Sequence, residues 1–456
     1  MTLSPGSAAT SGHLPLSMQQ EFLCLFDTGD ETGPFGPRYL IVDGWRVRGR
    51  VDPEALRHAL SDVVARHEAL RTLLVRDAQP RGQRVLDPMP AELVVRDLPG
   101  VAVADRPRRA EELLNEIEEG TLEVKDLPLL RAVLGRFDAE DAVLVLITHH
   151  SAADAWSMQV IFRDLAHCYA ARAAGRTPEL TPAPQYREYT AIQLAEHDSA
   201  YLRRARGYWQ EKLRGARILV APTDRIAGPE TQPRTSWFRF VQDAELRTAV
   251  TTLANTTRSS PFMVLLAAFN VMAARWTGNP DVTVPTFTPG RGHGRFQETV
   301  GSFFNFVPLR TDLTGCPTFR EAVTRTRTTC LGAYAHEVPL LHVLSVAPEL
   351  MSSAAVPGVA PCLFQVIQPP FVMEGERVGD LEYSAIWRRV ISQPVGSDMP
   401  DGMLWSLHLG PSDDIVGALG FSAHLFDDAT VHALVDRYED LLRRLLTTPD
   451  AALDEL

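Results

Sequence analysis

The chain has 456 residues, 45% hydrophobic and 22% charged, which is the composition of an ordinary globular protein too long for a single core. Its net charge of −12 argues against a nucleic-acid partner, and the lack of any apolar run of about 18 residues argues against a membrane-spanning helix. The five cysteines, Cys24, Cys168, Cys316, Cys330 and Cys362, are scattered with no CxxC pair, which suits a reducing cytoplasm and argues against a structural zinc site.

Residues 1–12 are rich in Ser, Ala, Gly and Thr and lack the basic start and apolar core of a signal peptide, so a frayed tail is expected there. Leu14 to Asp27 opens the ordered part as an amphipathic helix with Ser17 as N-cap. Tyr39 to Val51 alternates as a strand, and Asp52-Pro53 supplies the cap and first residue of a helix with a stripe of Leu56, Leu60, Val63, Val64, His67 and Leu70. That helix runs into Arg66-His67-Glu68-Ala69-Leu70-Arg71-Thr72, whose charged residues read as structural. Short strands at Leu73–Val75 and Arg84–Leu86 and a helix over Arg109–Glu119 follow.

The next stretch, Val143 to Ala173, organises the chain. Five apolar residues from Val143 to Ile147, without alternation, predict a strand buried on both faces. Asp154 sits at an expected helix N-cap, after which Met158, Ile161, Phe162, Leu165, Cys168 and Tyr169 recur at helical spacing. His149 and His150 thus fall between a strand end and a helix start, on opposite faces of an extended chain, so one of them is expected to reach a substrate. Positive partial charge at the helix N-terminus favours the neutral imidazole that a general base needs. Two hydrogen-bonded core histidines beside a structural cap is the plainer alternative.

Three prolines between Gly175 and Pro184 mark a break, which divides the chain into an N-terminal lobe at 13–180 and a C-terminal lobe at 181–456. Beyond it come Tyr186-Arg187-Glu188-Tyr189 and a basic helix over Leu202–Arg217 that reads as a solvated face. An apolar helix follows from Ser260-Pro261 to Trp276, then a strand over Val282–Phe287 and the turn Pro289-Gly290-Arg291-Gly292. Val300 to Arg310 is rich in aromatic residues, Met403 to Leu409 reads as a strand, and a last helix spans Ala429–Leu446.

His149-His150-Ser-Ala-Ala-Asp154-Ala155-Trp156 resembles the HHxxxDG signature of the condensation domains of nonribosomal peptide synthetases, with Ala155 in place of Gly. Five other segments resemble that family's motifs in the same order: Leu16-Ser17 with Gln20-Glu21, Arg66 to Thr72, Tyr186 to Tyr189, Val300 to Arg310, and Tyr334 to Leu340 with Glu337 and Val338 substituted. Pro361 to Val366 matches only the end of a seventh. The likeness covers Leu14 to Leu456 and implies an α/β (α+β) fold of two chloramphenicol-acetyltransferase-like lobes forming a V, with the active site in the channel between them. It also implies an acyltransferase that moves a carrier-tethered acyl or aminoacyl group from its thioester to an amine or alcohol.

In that reading His150 handles the nucleophile's proton, His149 and Asp154 are structural supports, and Ala155 and Trp156 belong to the active-site loop. Arg291 pairs with Asp154, and Ser302 and Asn305 lie along the channel. The thioester is already activated, so no metal or bound cofactor is expected; the donor rides on the phosphopantetheine arm of a separate carrier protein, the enzyme being free-standing. Partners would be that carrier and a small-molecule acceptor, in the cytoplasm, with no nucleic acid and no membrane. Free-standing relatives in enediyne antibiotic pathways attach a β-tyrosine-type acyl group to the core, and the resemblance extends that expectation to this chain. Two other readings stay open: a non-catalytic docking module for a carrier protein, and an acyltransferase using acyl-coenzyme A. Ester or amide formation is open as well.

Overall fold

The structure is a computed structural model and describes residues 13–228, 231–292, 294–368 and 371–453; the tail expected at 1–12 lies outside the described residues. The first lobe is built on a six-stranded sheet in the order Glu374–Val378, Leu381–Ala385, Leu40–Arg48, Asp141–His149, Leu130–Arg136, Glu92–Asp97. Asp141–His149 sits near its centre and is buried at every position. Val143, Val145 and Ile147 pack with Leu113 and Leu114 of the helix Arg106–Glu118. Leu144 and Leu146 pack on the other face with Leu60 and Val63 of the helix Pro53–Arg66 and with Met158 and Phe162 of the helix Ala155–Ala173. A strand covered by helices on both sides has no use for polar alternation.

The second lobe holds a five-stranded sheet in the order Val220–Pro222, Val359–Ile367, Met403–His408, Ile415–Ser422, Thr235–Gln242. The antiparallel pair Asp281–Thr288 and Asn305–Asp312 continues it through Leu219, whose N–H donates to the Thr283 carbonyl at 2.8 Å while its own carbonyl accepts from Cys362 N at 3.0 Å. The apolar helix Pro261–Thr277 is covered on nearly all sides, packing with Val284, Leu309, Phe364, Trp405 and Tyr438. Asp52, Asp154 and Ser260 cap their helices as expected.

Two strands cross between the lobes. Leu381–Ala385 pairs antiparallel with Trp45–Arg48, and Glu374–Val378 pairs with it in turn, so 374–385 completes the sheet of the first lobe although it follows the break at Gly175–Pro184. Phe296, Val300 and Phe303 likewise pack into the first lobe's core, against Tyr186 and Tyr189. The basic helix is shorter than expected, Ala200–Lys212, and buries Leu202, Ala205 and Trp209 against the second core.

Candidate active site in the cleft between the lobes

The strand Asp141–His149 ends at His149, and its turn into the helix Ala155–Ala173 carries His150 through Asp154. The two histidines have different surroundings. His149 is fully buried; its Nε2 donates to the Gly36 carbonyl at 3.0 Å, and its Nδ1 accepts from Ser151 Oγ at 2.7 Å. Both ring nitrogens are therefore committed, and burial pulls the imidazole down to about 4. His150 stacks on Tyr39 at a ring separation of 4.8 Å and meets the edge of Phe304 at 5.1 Å. Its Nδ1 lies 3.0 Å from the Ala153 carbonyl. A carbonyl only accepts, so Nδ1 carries the proton and Nε2 is left with a free lone pair. Burial lowers this imidazole too, which keeps it neutral at physiological pH.

Asp154 caps the helix through Oδ1, which accepts from Ser157 N at 2.7 Å and from Arg291 Nη2 at 2.9 Å, while Oδ2 accepts from Phe303 N at 3.2 Å. Arg291, 2% exposed at its side chain, also donates to the carbonyls of Phe296 and Thr299 and to Ser157 Oγ, and its guanidinium lies 4.0 Å over the Phe303 ring. The turn bearing His150 is thus clamped to a segment of the second lobe. Trp156 Nε1 donates to the Gln297 carbonyl at 2.9 Å and adds a second clamp. Ala155 is the first helical residue and does not have a positive φ, so a Cβ costs nothing where the family motif has Gly.

A cavity of about 370 Å³ lies between the two sheets, lined by Tyr39, His150, Ala155 and Trp156 from the first lobe and by Phe287, Phe304, Gln365 and Trp387 from the rest of the chain. A larger hollow of about 1550 Å³ is lined by Arg50, His167, Ala173 and Arg377, at the far end of the same helix, about 28 Å away for 19 residues. It touches none of the residues that carry the chemistry, so the smaller cavity is the candidate site.

Ser302 and Asn305 stand elsewhere than the channel position expected for them. Ser302 is buried, and its carbonyl accepts from Tyr186 Oη at 2.8 Å. Asn305 binds the Val338 carbonyl at 2.9 Å and Leu340 N at 3.0 Å, and it lines a separate hollow with Gln19, Tyr189 and Glu337. For Asn305 alternation explains this: Phe304 points into the cavity, so Phe303 and Asn305 on either side of it point away. Arg66 and His67 bind Asp164 at 2.6 and 3.0 Å, and Tyr186 joins Ser17 to Ser302, so these motifs brace the lobe. Among the described residues no cluster of His, Cys, Asp or Glu fits a metal ion, and no helix is long and apolar enough to cross a membrane.

Several cavity residues escaped the sequence reading: Tyr39, Asp43, Glu118, Arg239, Arg389 and His408. Asp43 in Leu-Ile-Val-Asp-Gly-Trp and Arg239 in Trp-Phe-Arg-Phe-Val are ionisable residues inside otherwise apolar strands, and that was the available signal.

The neutral histidines set a pH dependence of stability. His149, His342 and His408 are each held at about 4 in the fold, against 6.5 when free. Below pH 6.5 the unfolded chain takes up protons that the fold refuses, so stability falls as pH drops toward 4. Asp43, pushed up to about 6, and Asp398, also raised by burial, work in the opposite direction, two carboxyls against five lowered histidines once His67 and His150 are included. Melting temperatures are expected to decline steadily from pH 7 to pH 4.5, and a flat profile contradicts the buried neutral rings. His149→Ala strands the Gly36 carbonyl and Ser151 Oγ, so it is expected to cost about 1–3 kcal/mol in denaturant unfolding while leaving His150 and the cavity in place.

The family model of the condensation domain matches residues 13–352. The chain is 34% identical to the probable non-canonical nonribosomal peptide synthetase CymA of Salinispora arenicola over 96% of its own length, and 32% identical to a linear gramicidin synthase of Brevibacillus parabrevis over 97%. It spans only 6% and 9% of those two proteins. Among solved structures it is similar to the SgcC5 protein of Streptomyces globisporus, in complex with (R)-(-)-1-(2-naphthyl)-1,2-ethanediol and sucrose. Identity there is 48% with a TM-score of 0.92, covering 96% of this chain and 100% of that one. It is also similar to the X-domain from teicoplanin biosynthesis, at 26% identity and a TM-score of 0.77, covering 99% and 98%.

Proposed function

The chain belongs to the condensation-domain family, and from that premise we propose that it transfers a carrier-tethered acyl or aminoacyl group from its thioester to an amine or alcohol held in the cleft. The observation that carries this reading is His150, a cavity-lining imidazole whose Nδ1 proton is fixed on a carbonyl and whose Nε2 is left free. As the acceptor attacks the thioester carbonyl, Nε2 takes its proton, and the thiolate leaves with the phosphopantetheine arm of a separate carrier protein. Orienting two substrates supplies up to roughly 7–11 kcal/mol, and proton transfer a further 10²–10⁴ in rate. In this reading the N–H groups of the helix's first turn, at Ala155 and Trp156, stabilise the developing oxyanion.

An alcohol acceptor, and hence an ester product, is the narrower reading; the aryl diol in the Streptomyces globisporus structure supports it. Transfer of a β-tyrosine-type acyl group to an enediyne core rests on the motif likeness. The five free thiols fit a cytoplasmic setting.

Intact-mass spectrometry of an acyl-loaded carrier protein tests the reading, with the same acyl group on coenzyme A in a parallel reaction. Unloading that depends on acceptor and enzyme, at a rate above that from coenzyme A, is expected. Preferential use of acyl-coenzyme A overturns the carrier assignment. Binding of the carrier with no unloading indicates a docking module.

A further inference from the structure

Beyond His150, the wall of the same cavity holds buried polar atoms without partners. Arg239 Nε, Arg389 Nε, Trp387 Nε1 and His408 Nδ1 make no hydrogen bond, and all four side chains line the cavity. A buried polar atom with no partner is costly, and these four belong to side chains of one cavity lining, so the lining is poised to bond a polar group that enters. Arg239 is the extreme case. Its side chain is 7% exposed, and its Nη2 stands 3.6 Å from Glu118 Oε2, an ion-pair distance too long for a hydrogen bond. Glu118 bonds instead to Arg389 Nη2 at 2.6 Å. The Arg239 charge is balanced while its donors remain unspent, and burial beside Arg389 pulls it down to about 9.

Charge balance narrows the occupant. Of the charged groups lining the cavity, Asp154 and Asp398 pair with Arg291 and Arg38 outside it, which leaves Arg239 and Arg389 with Glu118 and Asp43, two cations against two carboxylates. A carboxylate ligand leaves the cavity with excess negative charge, and an ammonium leaves excess positive charge beside two guanidiniums. A neutral hydroxyl does neither: its oxygen accepts from a guanidinium and its proton goes to a carboxylate. We propose that this wall is a subsite for non-reacting hydroxyl groups of the acceptor, with Arg239 donating to a hydroxyl oxygen and Asp43 accepting a hydroxyl proton. The substrate class is then a neutral polyhydroxylated acceptor, an assignment that rests on the acyl-transfer reading in placing the acceptor in this cavity.

The test is calorimetric binding of an aryl-1,2-diol, the matching arylalkane and the matching arylcarboxylate to the wild type and to Arg239→Met and Arg239→Lys, with a thermal melt of each. The wild type should prefer diol over alkane by at least about tenfold. Arg239→Met should lose that preference without a lower melting temperature, and Arg239→Lys should restore part of it. An unchanged preference in Arg239→Met, or a lower melting temperature with the preference intact, overturns the subsite and leaves a structural ion pair. Tighter binding of the carboxylate overturns the hydroxyl assignment. Binding and turnover are read separately, so the two claims fail independently: transfer from the carrier without a diol preference removes the subsite alone, and a diol preference that depends on Arg239, without transfer, removes the reaction class alone.

Discussion

Replacing His150 with alanine is expected to slow acyl transfer by roughly 10²–10⁴, the usual contribution of a positioned general base, and to leave the fold intact. The ring makes one hydrogen bond to the protein, to the Ala153 carbonyl, and otherwise touches Tyr39 and Phe304 at the edge of a cavity. Its removal enlarges that cavity and strands only one acceptor. Binding of the loaded carrier should survive, because the ring is recessed between the lobes. His149→Ala is the contrasting control: it loses stability and keeps turnover. If the two variants exchange these behaviours, the tautomer assignment of both rings is wrong.

The second large effect is on stability. Asp154→Ala is expected to cost about 3–5 kcal/mol, because it leaves the Arg291 guanidinium buried without its carboxylate. It also removes the N-cap acceptor of Ser157 N and the partner of Phe303 N. Asp154→Asn keeps the cap and loses the charge, so an intermediate loss is expected. In a double-mutant cycle with Arg291→Met, the pair should show a coupling of about 0.5–3 kcal/mol, while additive losses contradict the clamp. Activity falls along with stability, since the turn bearing His150 hangs between the strand end and this cap. A variant that melts like the parent shows that Asp154 is not a brace.

How much of this was legible in the sequence depends on how local the signal is. The strand at Val143–Ile147, the caps Asp52, Asp154 and Ser260, and the helices they start are set by neighbouring residues and can be read along the chain. Opposite fates for His149 and His150 followed from strand alternation alone. The same rule, applied to Ser302-Phe303-Phe304-Asn305, would have sent Asn305 away from the channel once Phe304 was placed in it. The pairing of Leu381–Ala385 with Leu40–Arg48 joins residues more than 300 positions apart, and nothing near either strand announces it. The helix Ala244–Thr256, capped by Asp243, carries a buried stripe of Leu246, Val250, Leu253 and Ala254, a signal as local as those above. Arg239, Arg389, Glu118 and Asp43 come from four separate segments, so the cluster exists only after folding.

The central claim is that a neutral His150 takes the acceptor's proton, and the pH dependence of a single turnover tests it most directly. Acyl-loaded carrier protein, saturating acceptor and excess enzyme are mixed between pH 4.5 and pH 8, and product is followed by mass spectrometry. Because burial lowers the His150 imidazole, the wild-type rate should hold level down to about pH 6.5 and decline only below it, following one ionisation. In His150→Ala the residual rate should be lower throughout and should no longer show that ionisation. An acid limb that persists unchanged in His150→Ala, or a turnover undiminished by the substitution, contradicts the claim and assigns the proton to another group.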